Sequence, residues 1–186
     1  MKKFFLLIFT ALTLHAEGQQ EDAKSPQETA KSFIKQGDYS NAIMVLNKAL
    51  LLDPGNLEMR KDLAFSQYLQ KNYNKAVLTV EELLDRRDAD VQVYQLAGMI
   101  YKGMEDAKEA EKLYKRGLRK FPASGVLFNE YGELLWYKQD YNAILQWEKG
   151  IEADPNYSAN YYNAAKYYFF TMDKVWSVIY AEIFVN

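Results

Sequence analysis

Small residues recur along this chain at a fixed interval, and that interval limits the fold more than any other feature. Ala30, Ala64, Gly98, Gly132 and Ala165 are spaced by 34, 34, 34 and 33 residues. Ala42, Ala76, Ala110, Ala143 and Ser177 follow in step at 34, 34, 33 and 34. The one lost residue falls before Ala143, where Asp140-Tyr141-Asn142-Ala143 replaces Asp38-Tyr39-Ser40-Asn41-Ala42, so a turn has been shortened and the pattern kept. Tyr39, Tyr73 and Tyr141 make a third series; Pro54, Pro122 and Pro155 close three units, with Asp88 standing at the corresponding place in another. A period of this size means like units stacked side by side, none of which can bury its apolar face alone.

Each unit reads as two helices. Tyr94, Ala97, Gly98 and Tyr101 share one helical face, Glu105-Asp106 interrupts the pattern, and Ala110, Leu113, Tyr114 and Leu118 resume it. Asn56, Asp90 and Ser124, each 34 apart, are side chains that can accept from the free N–H groups of a first turn. Ser25-Pro26-Gln27-Glu28 has the form of a capping box with proline at the first helical position. Small residues at the helix crossings let two backbones approach to about 8 Å.

At these residues the chain resembles the tetratricopeptide repeat. Phe128, Tyr131, Gly132, Leu135, Ala143, Trp147, Gly150 and Pro155 match that pattern best; Ala30, Phe33, Gly37, Tyr39, Ala42, Ala49 and Pro54 match it in the first unit. The second unit departs at Arg60, Gln67 and Asp88 but keeps Leu63, Ala64, Tyr73 and Ala76. The resemblance implies an all-α, right-handed superhelical solenoid of about five helix–turn–helix units at 23–56, 57–90, 91–124, 125–157 and 158–186, the last incomplete. The stretch from Asn160 to Asn186 also looks like repeat proteins exported by Bacteroidota-type bacteria.

In such a stack the first helix of each unit lines a concave surface, with its second, fifth, ninth, twelfth and thirteenth residues facing the hollow. Candidate groove residues are then Lys31 and Lys35 in the first unit, Lys61, Phe65 and Tyr68 in the second, and Gln95, Met99 and Lys102 in the third. The fourth gives Asn129, Glu133, Trp136 and Tyr137, and the fifth Tyr162 and Lys166. The expected groove runs from basic and polar to aromatic, a surface suited to peptide. Trp136 stands out, because Leu134 and Leu135 already supply apolar contact beside it. The Lys/Asn set by which some family members grip a C-terminal carboxylate is not matched, since Gln27 and Lys31 occupy its places.

Lys2 and Lys3 precede an apolar run from Phe4 to Leu14, then Ala16 and Gly18, which reads as a secretory signal over residues 1–18 with the array on 19–186. Eleven apolar residues fall short of the roughly 20 that span a bilayer, and no later stretch reaches that length, so the mature chain is expected to carry no transmembrane span. The formal charge is −2, with both signs interspersed, and no nucleic-acid partner is expected. The sole histidine, His15, leaves with the signal, and there is no cysteine. Thiolate and Ser–His catalysis and thiol- or imidazole-bound zinc are thereby excluded from the mature chain. Gly98 and Gly103 have phosphate-loop spacing, but Met104 replaces the required lysine. Glu81-Glu82, Glu105-Asp106 and Glu109 with Glu111 read as solvated charge. No enzyme activity, cofactor or metal is expected.

The resulting expectation is a non-enzymatic scaffold, exported to the periplasm or outer membrane, that binds a protein or peptide in its groove. Two alternatives stand beside it: an architectural or sensor part of an envelope assembly engaged by its edges, and a carbohydrate- or peptidoglycan-binding module using Trp136 as a platform. The last helix is apolar on more than one face, and Trp176, Ile179, Ile183 and Phe184 form an expected edge. Continuation into a longer chain is the preferred explanation of that edge, with self-association or docking on a partner as the others.

Overall fold

The computed structural model describes residues 25–185; the apolar run and the cleavage expected after residue 18 lie outside the described residues. Helices alone, without strands, form this part of the chain. They are α1 (Pro26–Lys35), α2 (Tyr39–Leu52), α3 (Leu57–Leu69), α4 (Tyr73–Leu84), α5 (Val91–Gly103), α6 (Ala107–Lys120), α7 (Gly125–Tyr137), α8 (Ala143–Ala153), α9 (Ser158–Phe170) and α10 (Lys174–Val185). None is long and apolar enough to cross a membrane.

Local chemistry sets the ends. Ser25 and Glu28 form a reciprocal capping box on α1, while Asn56, Asp90 and Ser124 accept from Met59, Val93 and Leu127 N–H at the starts of α3, α5 and α7. Between the two helices of every unit one residue is left-handed: Gly37, Lys71, Glu105, Gln139 and Met172, with φ from 58° to 77°. The following N–H, on Asp38, Asn72, Asp106, Asp140 or Asp173, returns to a carbonyl five residues back, so the turn closes the first helix. The shortened turn is absorbed locally. Ala143 N–H bonds to the Asp140 carbonyl three residues back, where Ala42, Ala76 and Ala110 bond four back, and α8 loses its first turn.

The small residues sit where the two helices of a unit cross, and their size is matched to the side chain opposite. At one register position of the second helices stand Leu46, Val80, Tyr114 and Trp147, all buried. The first two share clusters with Ala30 and Ala64. The two aromatic rings lie across Gly98 and Gly132, where an added Cβ would come within 2.2 Å of Tyr114 and 2.4 Å of Trp147. In the fifth unit Ala181 takes this position, small faces small, and Ala165 is only half-buried.

First helices pack closely on one another in sequence, α1 to α3, α3 to α5, α5 to α7 and α7 to α9, whereas second helices stand farther apart and are bridged by long side chains, Arg116 of α6 donating to the Leu84 carbonyl of α4 and Tyr180 of α10 to Glu148 of α8. The stack therefore curves with the first helices on its inner row. The core runs between the rows from Ala64 to Ala164, joined by Ala30, Leu46, Ala49, Met59 and Leu63 at the N-terminal end. α10 has no buried residue.

Candidate binding groove

The inner row carries a polar ladder. Gln27, Lys61, Gln95, Asn129 and Asn163 stand 34 residues apart on successive first helices, and hydrogen bonds tie them across the unit boundaries. Gln27 donates to Asp62 at 2.9 Å and Lys61 to Asp90 and Gln92 at 2.7 and 2.8 Å. Gln95 donates to Glu130 at 3.0 Å, and Asn163 to Asn129 at 2.8 Å. Asn129 in turn donates to Glu133 of its own helix at 3.4 Å.

This ladder changes the expected electrostatics. Lys61 is 6% exposed and also pairs with Glu58 at 2.6 Å. Burial lowers its pKa, but the hydrogen bonds to Asp90 and Glu58 outweigh that effect and leave a net rise. Its charge is therefore held inside the wall, not offered to the hollow. Asn129, 4% exposed, is likewise consumed by the wall. Lys102 lies 3.5 Å from both Glu130 and Glu133, and Lys31 lies 3.9 Å from Asp62. The basic N-terminal half foreseen from the sequence is thus partly neutralised, with Lys61 buried and Lys102 paired, while Lys31 and Lys35 stay exposed there and Lys166 is exposed at the C-terminal end.

Two hollows open along the row. One, of about 370 Å³ between α3 and α5, has Phe65, Leu96 and Met99 as its floor and Asp62, Gln92 and Gln95 on its rim, with Lys61 behind. Phe65 stacks on Tyr68, which meets Tyr73, so Tyr68 serves the wall. The other, of about 300 Å³ between α7 and α9, is lined by Glu133, Trp136, Tyr137, Asn163, Lys166 and Tyr167 over Trp147. Trp136 does have packing partners: its ring lies 5.7 Å from Tyr167 and 6.2 Å from both Trp147 and Phe170, so it is a half-buried floor and not an open platform. Tyr137, 71% exposed, and Tyr162, 52% exposed, are the freer rings.

Tyr162 also meets Phe184 at 5.5 Å, which joins the groove to the edge that the sequence treats separately. Trp176, Ile179, Ile183 and Phe184 are each more than a third exposed. Sequence reasoning missed Asp62, Glu130, Leu96, Trp147, Asn163 and Tyr167. The ladder acids were findable, because Asp62 and Glu130 stand 35 residues after Gln27 and Gln95. Among the described residues no group of three or more His, Asp or Glu side chains could hold a metal.

Family models of the tetratricopeptide repeat match residues 33–100 and 91–119. No curated protein matches by sequence. Among solved structures, MamA is 18% identical with a TM-score of 0.64, over 84% of this chain and 92% of that one. TTC0263, a thermophilic TPR protein of Thermus thermophilus, is 16% identical with a TM-score of 0.65, over 87% and 98%. YrrB, described as a TPR protein with an unusual peptide-binding site, is 18% identical with a TM-score of 0.55, over 90% and 87%. The tetratricopeptide fold is generally a non-enzymatic scaffold for protein interaction. Repeat models, helix pairing and solenoid neighbours agree: the chain carries tetratricopeptide repeats, matched over residues 33–119 and continued by the same helix pairing beyond them.

Proposed function

We propose that this chain is a non-enzymatic interaction module of the cell envelope that holds a segment of a partner protein along its inner row. The observation that carries the reading is the pair of hollows with apolar floors and rims of amide and carboxylate groups, spaced two units apart on one surface. Such a surface buries apolar side chains of a ligand while its rim meets the ligand's backbone. YrrB's described peptide-binding site supports the same use of this fold. Because the groove lysines are mostly paired, affinity rests on apolar burial and should vary little with salt.

Selection of a random peptide library on the chain tests this. Selected peptides should carry apolar anchors, and Met99→Asp or Tyr137→Ala should each weaken binding by tenfold or more, at about 1.4 kcal/mol per tenfold. Ligands that ignore both changes would overturn the groove reading. Export is tested by fractionating producing cells and sequencing the mature N-terminus, which should begin at Gln19; an unprocessed cytoplasmic chain would refute it. The edge-docking alternative keeps one specific support, the uncovered side chains of α10. The carbohydrate alternative is given up, since it rested on an open Trp136 face that Tyr167, Trp147 and Phe170 occupy.

A further inference from the structure

The outward side of the outer row changes character in one helix. On α6, Lys108, Lys112, Lys115 and Arg119 stand at i, i+4, i+7 and i+11, which at about 3.6 residues per turn places them on one line along the helix. The buried residues Ala110, Leu113, Tyr114 and Gly117 fall on the opposite side, so no packing role explains the four cations. All four are exposed. The same register positions hold Asn74, Leu78 and Glu81 on α4 with Asp85 at its C-cap, and Leu145, Glu148 and Glu152 on α8 with Tyr141 in the turn before it. A basic ridge one helix wide is therefore flanked on both sides by acidic and apolar residues.

The ridge is only partly neutralised. Lys112 pairs with Glu109 at 2.8 Å, and Glu111 is shared at 2.7 Å by Lys115 and by Lys138 of the adjoining turn. Their hydrogen bonds hold the Glu111 carboxyl down to about 2, as a positive local field requires. Five cations thus face two carboxylates in a chain whose net charge is −2. Lys108, Glu111, Lys112, Lys115 and Arg119 border a shallow depression of about 330 Å³.

We infer that this ridge docks an acidic segment of a partner protein, its carboxylates laid along α6 and its apolar side chains reaching Leu78 or Leu145. Charge complementarity selects the sign, and the flanks select the shape. A bilayer or a nucleic-acid duplex would bring phosphates over Glu81, Asp85 and Glu152 as well as over the ridge, whereas a polypeptide is narrow enough to avoid them. Leu78 and Leu145 are 65% and 47% exposed and offer burial to a peptide that a phosphate cannot use. The ridge spans roughly 16 Å at about 1.5 Å per residue, which an extended chain covers in about five residues. It lies away from the inner row, so both surfaces can be occupied together.

The probe is a labelled oligoglutamate of about twelve residues, comfortably longer than the ridge, compared with oligoglutamine, phosphatidylglycerol vesicles and a DNA duplex. Oligoglutamate should bind, weaken about tenfold between roughly 50 and 300 mM salt, and lose tenfold or more with Lys108→Glu and Arg119→Glu. A version with leucines interspersed should bind more tightly, and Leu78→Ser with Leu145→Ser should remove that gain. Met99→Asp, in the groove, should leave all of this unchanged, which separates failure here from failure of the groove reading. Circular dichroism checks that the charge-reversed chain stays folded. Equal binding of oligoglutamine, indifference to the charge reversal, or binding of vesicles or DNA without oligoglutamate would each overturn the inference.

Discussion

The exchange of size between Gly98 and Tyr114 can be tested by rebuilding the pair that another unit already uses. In the third unit a Cβ on residue 98 would lie 2.2, 2.4 and 2.8 Å from Cε1, Cζ and Cδ1 of the Tyr114 ring. That ring is fully buried and cannot swing aside, so Gly98→Ala must push α5 and α6 apart. Overpacking of this kind costs about 1–3 kcal/mol, and a shortfall of more than 1 Å points to the upper end, less about 1 kcal/mol returned by alanine's helix propensity. Tyr114→Val alone leaves a cavity costing about 3 kcal/mol, softened because the buried hydroxyl has no hydrogen-bond partner to lose. Together the two changes recreate Ala64 and Val80 of the second unit, both fully buried.

The double variant should therefore be more stable than the sum of the singles by about 2 kcal/mol, within the range of coupling between touching residues. Denaturant unfolding followed by far-ultraviolet circular dichroism, on all four chains under one set of conditions, gives the cycle. Tyr114→Phe is the control: it deletes only the unpartnered hydroxyl and should leave stability unchanged or slightly higher. Additivity of the two main changes within about 0.5 kcal/mol would show that ring and glycine are independent, and would refute the size-matching account of the period.

Three further outcomes follow from the same geometry. Glu105→Gly should raise stability by about 0.5–1 kcal/mol, because residue 105 is left-handed at φ 64°, while Gly37→Ala should lower it by a similar amount; chemical unfolding of both reads the sign. Glu111 has a folded pKa of about 2 against an ordinary 4.5, so the stability it confers is present above 4.5 and is lost as pH falls through 2; Glu111→Gln should flatten the acid limb of a stability profile across that window. Amide exchange should be fastest in α10, which has no buried residue, and slowest in α5 to α7; equal protection of α10 and α6 would contradict this.

What the sequence made legible is what each unit needs for itself. Helix starts were readable at Asn56, Asp90 and Ser124 because a cap acts within three residues. The helix crossings were readable because only small residues fit there. Partners from the next unit were the unreadable part. Lys61 looks like a free cation on the concave line until Asp90, at the start of α5, is seen to hold it. Trp136 looks exposed beside Leu134 and Leu135, yet the rings covering it, Tyr167 and Phe170, arrive from α9. Periodicity gives the phase of a side chain on its helix but not the length of its reach into the neighbouring helix.

That difference in reach also separates the two faces chemically. Helices of the inner row touch, so their axes lie about 8–10 Å apart, and a long polar side chain on one can bond to the next. Gln27, Lys61, Lys102 and Gln95 all do so, and the hollow keeps little unpaired charge as a result. Helices of the outer row stand farther apart and meet only through long side chains such as Arg116, which reaches the Leu84 carbonyl, and Tyr180, which reaches Glu148; their outward charged side chains pair mainly within one helix or with an adjoining turn, as Lys112 does with Glu109 and Lys138 with Glu111. Surplus charge can therefore persist on the outer row, where α6 carries it, and salt becomes the means of telling the surfaces apart. A groove ligand held by apolar burial should keep its affinity as ionic strength rises, and a ridge ligand held by exposed cations should lose it. Equal salt dependence for the two would mean that the inner pairs open on binding and release their charges to the ligand.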